Sequence, residues 1–273
     1  MKNLAAIYRW LPPAMFLAFL PIAAALLQGQ DSILLLTLLA AALVSLHSGR
    51  ELAAGVLVGL GLFKFQIVIP IALLYLIWRR WRFVFGFASL ALAETVASIW
   101  LVGTSQFITY ARSLITLGGG VHEVTKPVAN LMANLHGLVF GLTGGNLPGF
   151  WIVAVTAILS GIVLLLAAFS HRMDARSGDA FLIAVTACAL VSYYLLIHDL
   201  SIMLIPVAVS LDRNIAAEAT GHQPGRLMAR AAALMFVAPV WRIFHSFPFL
   251  YSGAAVVHLF LRLVTECRGQ YRN

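Results

Sequence analysis

A few ionisable residues in this chain lie in stretches too apolar to solvate them, and such groups are costly at membrane depth unless they are paired or used. Lys64 follows Gly59, Gly61 and Phe63 at a point where an apolar run breaks, with Gln66 and Pro70 just beyond it. A cation beside backbone amides freed by such a break could hold a phosphate, or its side chain could snorkel to the interface. His198 and Asp199 stand side by side between two apolar runs, where they could bind substrate or share a proton. Asp199 and Asp31 also occupy places where a helix would start, so each reads as an N-cap, with a second reading as a reacting carboxylate. Glu123, with His122 and Lys126, is either a third candidate carboxylate or part of a solvated loop face. Arg242, between Trp241 and His245, could clamp a phosphate or serve as an interfacial anchor. Glu94 reads as paired inside the bundle, and His258 as a packed core histidine.

The elements that must position these groups are membrane helices. Of 273 residues, 62% are hydrophobic and 10% charged, and the mean hydropathy is +0.95. Such a chain cannot cover a soluble core with polar surface. The net charge of +8 does not indicate nucleic-acid binding, because the basic residues fall in short loops between apolar runs rather than on one face with aromatics between them. Cys188 and Cys267 are too far apart in expected depth to form a disulfide framework. No zinc spacing, phosphate-binding glycine loop, dinucleotide fingerprint or nucleophile elbow is present, so no metal and no cofactor is expected.

Apolar runs fall near residues 11–27, 32–46, 52–63, 66–78, 83–103, 149–169, 180–197, 200–211, 231–245 and 249–264. At roughly 20 residues per crossing, they predict an all-α, polytopic bundle of about ten transmembrane helices in a single domain over 1–273. The first run follows Lys2 and Arg9 but leads straight into the next span, and it reads as a retained helix rather than a cleaved signal. Several runs are shorter than a full crossing, which is tolerated where the freed backbone is buried in protein or lines a cavity. Placing the N-terminus in the cytoplasm puts Arg50, Arg79, Arg80, Arg82, Arg172, Arg176, the 212–230 segment and the C-terminal tail on the same side. This agrees with the accumulation of Lys and Arg in cytoplasmic loops. The expected location is the inner (plasma) membrane of a bacterium, with both termini cytoplasmic.

The same assignment leaves Gln28–Asp31, the Lys64 break, the His198–Asp199 pair and the long 104–148 segment outside. Phe107, Ala111, Leu114 and Leu117 recur at helical spacing opposite Thr109, Arg112 and Ser113, as in a helix lying in the interface. Gly118 to Gly120 should break it, and a second helical piece is expected over Val128 to Phe140, carrying Asn130, Asn134 and His136.

The order of these features resembles glycosyltransferase family 87. The resemblance rests on Gly29 and Gln30 opening a helix, the run from Ala53 to Lys64 with Gly55, Gly59 and Gly61, and an apolar span ending in Trp78-Arg79-Arg80-Trp81-Arg82. The Asn130–Asn134 and Tyr193–Asp199 stretches extend it over roughly 28–210. The family's members are multi-spanning GT-C enzymes similar to polyprenyl-phosphate-mannose-dependent mannosyltransferases. The resemblance implies a polyprenyl-phosphate sugar as donor substrate, bound from the outer side. It also implies a carboxylate that deprotonates the acceptor hydroxyl, with Lys64 and His198 near the donor phosphate.

It further implies that Gln30, Asn130 and Asn134 line the substrate site. The family's catalytic aspartate lies in a large outer loop upstream of the matching region, so this chain is expected to lack it. Asp31, Glu123 or Asp199 would then act instead, or a partner chain would supply the missing region. In place of the proline that usually follows the family's lysine stands Phe65, with the proline at Pro70. The expected function is transfer of a hexose, mannose by the resemblance, with membrane lipid and lipid-linked sugar as partners and no nucleic acid. The alternative is a small ten-helix transporter with a discontinuous helix at Lys64.

Overall fold

In the computed structural model, residues 2–119, 126–170, 178–219, 226–240 and 250–269 are described, and every regular element among them is helical. Proline and glycine set the first boundaries. Pro21 has no N–H to offer Leu17, so the run expected as one helix over 11–27 divides at Phe19 into α2 (Leu11–Ala18) and α3 (Leu20–Leu27), after a short α1 (Lys2–Ile7). Gly29, at φ +61, ends α3: the Gln30 amide reaches back to the Ala25 carbonyl at 2.9 Å, a left-handed glycine C-cap. The chain thus reverses into α4 (Ser32–His47), which buries Leu35, Leu39, Ala42, Leu43 and Leu46 at helical spacing.

The next two helices, α5 (Glu51–Gly59) and α6 (Phe65–Ile77), meet through a single 3₁₀ turn, Leu62–Lys64, with a 63° bend between them. Lys64 itself is non-helical (φ −116, ψ 53). Gly61 makes the corner possible, since a Cβ there would meet Leu35 Cδ1 at 2.8 Å and Val68 Cγ1 at 2.9 Å. Beyond α6, α7 (Trp81–Val102) packs on α5 through close backbone approach: a Cβ on Gly55 would lie 2.0 Å from the Phe83 carbonyl oxygen, and one on Gly86 would lie 2.1 Å from that of Leu52. Small residues serve the same purpose between membrane helices generally.

α8 (Thr104–Gly119) runs through the segment expected to be helical and includes Gly118 and Gly119; Gly120 lies outside the described residues. The second helical piece begins later than expected. A 3₁₀ turn, Lys126–Leu131, comes first, and α9 (Leu135–Leu142) starts only after Asn134, whose extended backbone stops continuous helix from Val128. α10 (Gly149–Phe169) follows, then α11 (Gly178–Val191), whose residues from Ala180 to Leu190 are all buried. A helix apolar on every side belongs at the centre, and α11 packs against α4, α6, α10 and α14. The 3₁₀ turn Asp199–Met203 leads into α12 (Leu204–Ala219), and α13 (Arg226–Val237) and α14 (Leu250–Gly269) complete the described chain.

Among the described residues, α7, α10 and the Asp199–Ala217 stretch are long and apolar enough to cross a membrane, and the bent α5–α6 pair makes a fourth if taken as one span. Fewer spans therefore emerge than the ten expected from apolar runs. The difference lies in breaks such as Phe19, and in the run over 180–197, which stops at Val191 and continues as an irregular segment. α7 and α10 present nearly all of their apolar surface outward, as lipid-facing helices do. This is a membrane protein.

Candidate active site

Three chain breaks converge on one point. The first is the Gly29 turn ahead of α4, the second the Lys64 corner between α5 and α6, and the third the irregular 192–198 segment leading into the Asp199 turn. Irregular backbone at this depth needs partners. Asn134, fully buried, supplies some of them: its side-chain amide donates to the Ser192 carbonyl at 2.7 Å, while its oxygen accepts from the Gly137 amide and so caps α9. The Ala133 amide donates to the Leu195 carbonyl at 3.1 Å. Gly137 is required there, because a Cβ would lie 2.1 Å from the Met132 carbonyl oxygen. Asn134 thus supports the wall that carries His198 and Asp199.

At the convergence, the Lys64 ammonium lies between two carboxylates, 3.1 Å from Asp31 Oδ1 and 3.0 Å from Asp199 Oδ1. Only 12% of the Lys64 side chain is exposed, so it points into the protein and does not snorkel. The two carboxylates differ sharply. Asp199 is 1% exposed, accepts from Ser32 Oγ at 2.8 Å and from the Leu196 amide at 3.2 Å, and has His198 Nε2 at 3.6 Å. Asp31 is 47% exposed, and among the described residues Lys64 is its partner.

Asp31 takes the N-cap position of α4, as its place in the sequence suggests, whereas Asp199 does not take that of its own turn. The Asp31 side chain makes no cap hydrogen bond to α4, and the residue in the cap position of the Asp199 turn is His198. An ion pair in a poorly solvated setting outweighs a single cap bond. His198 is held through Nδ1, 2.8 Å from Gln28 Oε1, which makes Nδ1 the donor. Burial pushes the His198 imidazole below its ordinary pKa, against the opposing pull of Asp199, so the ring is neutral at pH 7. Two carboxylates, one ammonium and a neutral imidazole leave the centre with a formal charge of −1.

Of the residues singled out from the sequence, Asp31, Lys64, His198 and Asp199 come together here. Gln30 lies at the same turn, half-buried, while Asn130 sits half-buried in the 3₁₀ turn before Asn134. Glu123 and Arg242 lie outside the described residues. Glu94 does not have the intra-bundle partner expected for it: it is half-buried on lipid-facing α7, with no hydrogen bond or ion pair among the described residues. His258, expected as a packed core residue, is half-buried and lines an apolar cavity with Leu234, Val237, Tyr251 and Ala255. The sequence reading missed Gln28, Ser32 and Ser201, whose hydroxyl donates to the Ser32 carbonyl at 3.3 Å. The one usable signal was local, since Gln28 and Ser32 bracket the Gly29 turn and Asp31.

A family model, glycosyltransferase family 87, matches residues 2–198, which take in all four members of this centre but Asp199, the next residue. The chain belongs to glycosyltransferase family 87. The match begins well before residue 28, where the sequence resemblance began, and covers α1 through the irregular 192–198 segment. No curated protein and no solved structure matches the chain. Membership makes this a membrane glycosyltransferase and leaves the transporter reading without support. A buried ammonium paired with an exposed carboxylate, with an imidazole beside the second carboxylate, offers a cation to an anionic group and an acceptor to a proton.

Proposed function

We propose that this protein transfers a hexose, mannose by its family resemblance, from a polyprenyl-phosphate sugar to an acceptor hydroxyl on the extracytoplasmic side of a bacterial inner membrane. The observation that carries the reading is Lys64, fixed at a helix break between an exposed and a buried aspartate. The acceptor oxygen attacks the anomeric carbon, and Asp31 takes the hydroxyl proton. The bond from that carbon to the phosphate oxygen breaks, and polyprenyl phosphate leaves with its new charge against Lys64. Asp199 holds the ammonium in place from behind, and neutral His198, whose Nδ1–H is taken by Gln28, leaves Nε2 to accept from a sugar hydroxyl. The sidedness is supported by the distribution of basic loop residues, which puts Asp31, Lys64 and His198 together on the side away from the positive loops.

Membranes carrying the chain, supplied with polyprenyl-phosphate-[³H]mannose and a crude acceptor fraction, provide the test. Transfer should occur with the unaltered chain. It should fall about 10²- to 10⁴-fold in Asp31→Asn, the range a general base contributes. Asp199→Asn should weaken donor binding, and Glu123→Gln should retain transfer. No transfer despite donor binding would make the chain dependent on a partner. Transfer that survives Asp31→Asn and fails in Glu123→Gln would move the base to the outer loop.

A further inference from the structure

The two carboxylates on Lys64 are not equivalent, and the difference points to an exchange. Asp199 is anchored by a hydroxyl and a backbone amide as well as by the ammonium. Asp31 stands half in the open, with Lys64 as its partner among the described residues. Lys64 is 12% exposed and Asp31 is its more exposed partner at 47%, so Asp31 is the carboxylate that a ligand coming from solvent meets at the ammonium. The centre already carries a formal charge of −1, so a phosphate arriving beside both carboxylates would be repelled.

We propose that a phosphate group displaces Asp31 from Lys64 on binding, so that the donor itself releases the base that its own transfer requires. The inference rests on the glycosyltransferase reading above. Once displaced, the Asp31 carboxylate lies next to the anion and has lost its cation, and both changes raise its affinity for a proton. It takes that proton from the acceptor hydroxyl as the sugar moves. While protonated it does not compete for Lys64, which stays with the leaving polyprenyl phosphate. Loss of the proton to water restores the carboxylate, and the returning Asp31 expels the product. Asp199 remains on Lys64 throughout.

The test is equilibrium binding of long-chain polyprenyl phosphate to the purified full chain in lipid nanodiscs, with inorganic phosphate as a separate probe. Because Asp31 competes with the ligand, Asp31→Asn should bind polyprenyl phosphate about two- to fivefold more tightly, the worth of a partly exposed ion pair, even though it is inactive in transfer. Asp31→Ala should do the same. Lys64→Met should lose binding, and Asp199→Asn should weaken it. Inorganic phosphate that shows the same gain in Asp31→Asn makes the free anion sufficient, whereas a gain confined to the lipid makes the membrane-borne headgroup the ligand; either supports the exchange. Equal or weaker binding in Asp31→Asn and Asp31→Ala, with helicity and unfolding temperature retained, overturns the exchange and leaves the glycosyltransferase reading intact. Failure of the unaltered chain to bind either probe overturns both.

Discussion

Lys64 and Glu94 are each a single charge in an otherwise apolar run, and the protein treats them in opposite ways. Lys64 sits where the backbone breaks, next to a glycine corner, and two other breaks deliver a carboxylate each to within 3.1 Å of it. Glu94 sits inside the unbroken 22-residue α7, one helical turn beyond Leu90, on a helix that faces outward over most of its length, and it has no hydrogen bond or ion pair among the described residues. The contrast teaches that depth in an apolar run does not by itself mark a functional charge. Convergence of chain breaks does, because only irregular backbone lets distant segments bring short side chains to one ammonium.

The comparison breaks most readily at Lys64. Lys64→Met leaves Asp199 buried without its cation, and breaking a buried pair on one side costs about 3–5 kcal/mol. A large drop in unfolding temperature in detergent is expected, partly relieved in Lys64→Met/Asp199→Asn. If the double variant is no more stable than Lys64→Met, the pair is not coupled as the geometry requires.

Next in size is the scaffold behind the Lys64 corner. Gly86→Ala puts a methyl 2.1 Å from the Leu52 carbonyl oxygen, and forcing α5 and α7 apart should cost about 1–3 kcal/mol. Gly161→Ala on α10, where the added Cβ meets nothing within 4 Å, is the matched control and should unfold like the parent. Equal unfolding temperatures for the two variants would mean that the α5–α7 contact is looser than described.

A smaller effect is expected from pH. His198, just ahead of the apolar span that starts at Asp199, has its folded pKa pushed below the unfolded value of about 6.5 by burial. The folded state then binds fewer protons than the unfolded state between the two values. Stability is complete above pH ~6.5 and falls as the pH drops through the folded value. His198→Gln should flatten that part of the pH–stability curve, and an unchanged slope would place the acid sensitivity elsewhere. Smallest of all is Glu94→Gln, expected to move stability by no more than about 0.5 kcal/mol, because there is no partner to lose.

Much of this arrangement could be read from the sequence where a residue constrains its own backbone. The break at Lys64 and the helix through Phe107–Leu117 follow from local composition, and the structure has both, although that helix continues through Gly118 and Gly119 instead of breaking there. The four ionisable members of the centre were also legible individually, since each is a polar residue that an apolar neighbourhood cannot solvate. Their mutual pairing was not. Asp31 and Asp199 look like helix caps locally, and only the folded chain shows that Lys64 pairs with both, Asp199 also accepting from the Leu196 amide. Gln28 escaped notice because its role depends on a histidine 170 residues away, and its neighbour Gln30 looked equally suitable. Among the described residues three or four stretches have the length and apolarity of a span rather than ten, because an apolar run reports burial as readily as membrane crossing. Ser192, Leu195, Ile197 and His198 are buried, and the segment is held as irregular chain by Asn134 and Ala133.

The central claim is that transfer takes place at the Lys64 centre. Its most direct test is the initial rate of sugar transfer from polyprenyl-phosphate-mannose by Asp31→Asn and Glu94→Gln, prepared in the same membranes at matched expression. The account predicts a loss of at least about 10²-fold for Asp31→Asn and a rate for Glu94→Gln indistinguishable from the parent. A parent-like rate in Asp31→Asn, or a collapse in Glu94→Gln, would contradict it.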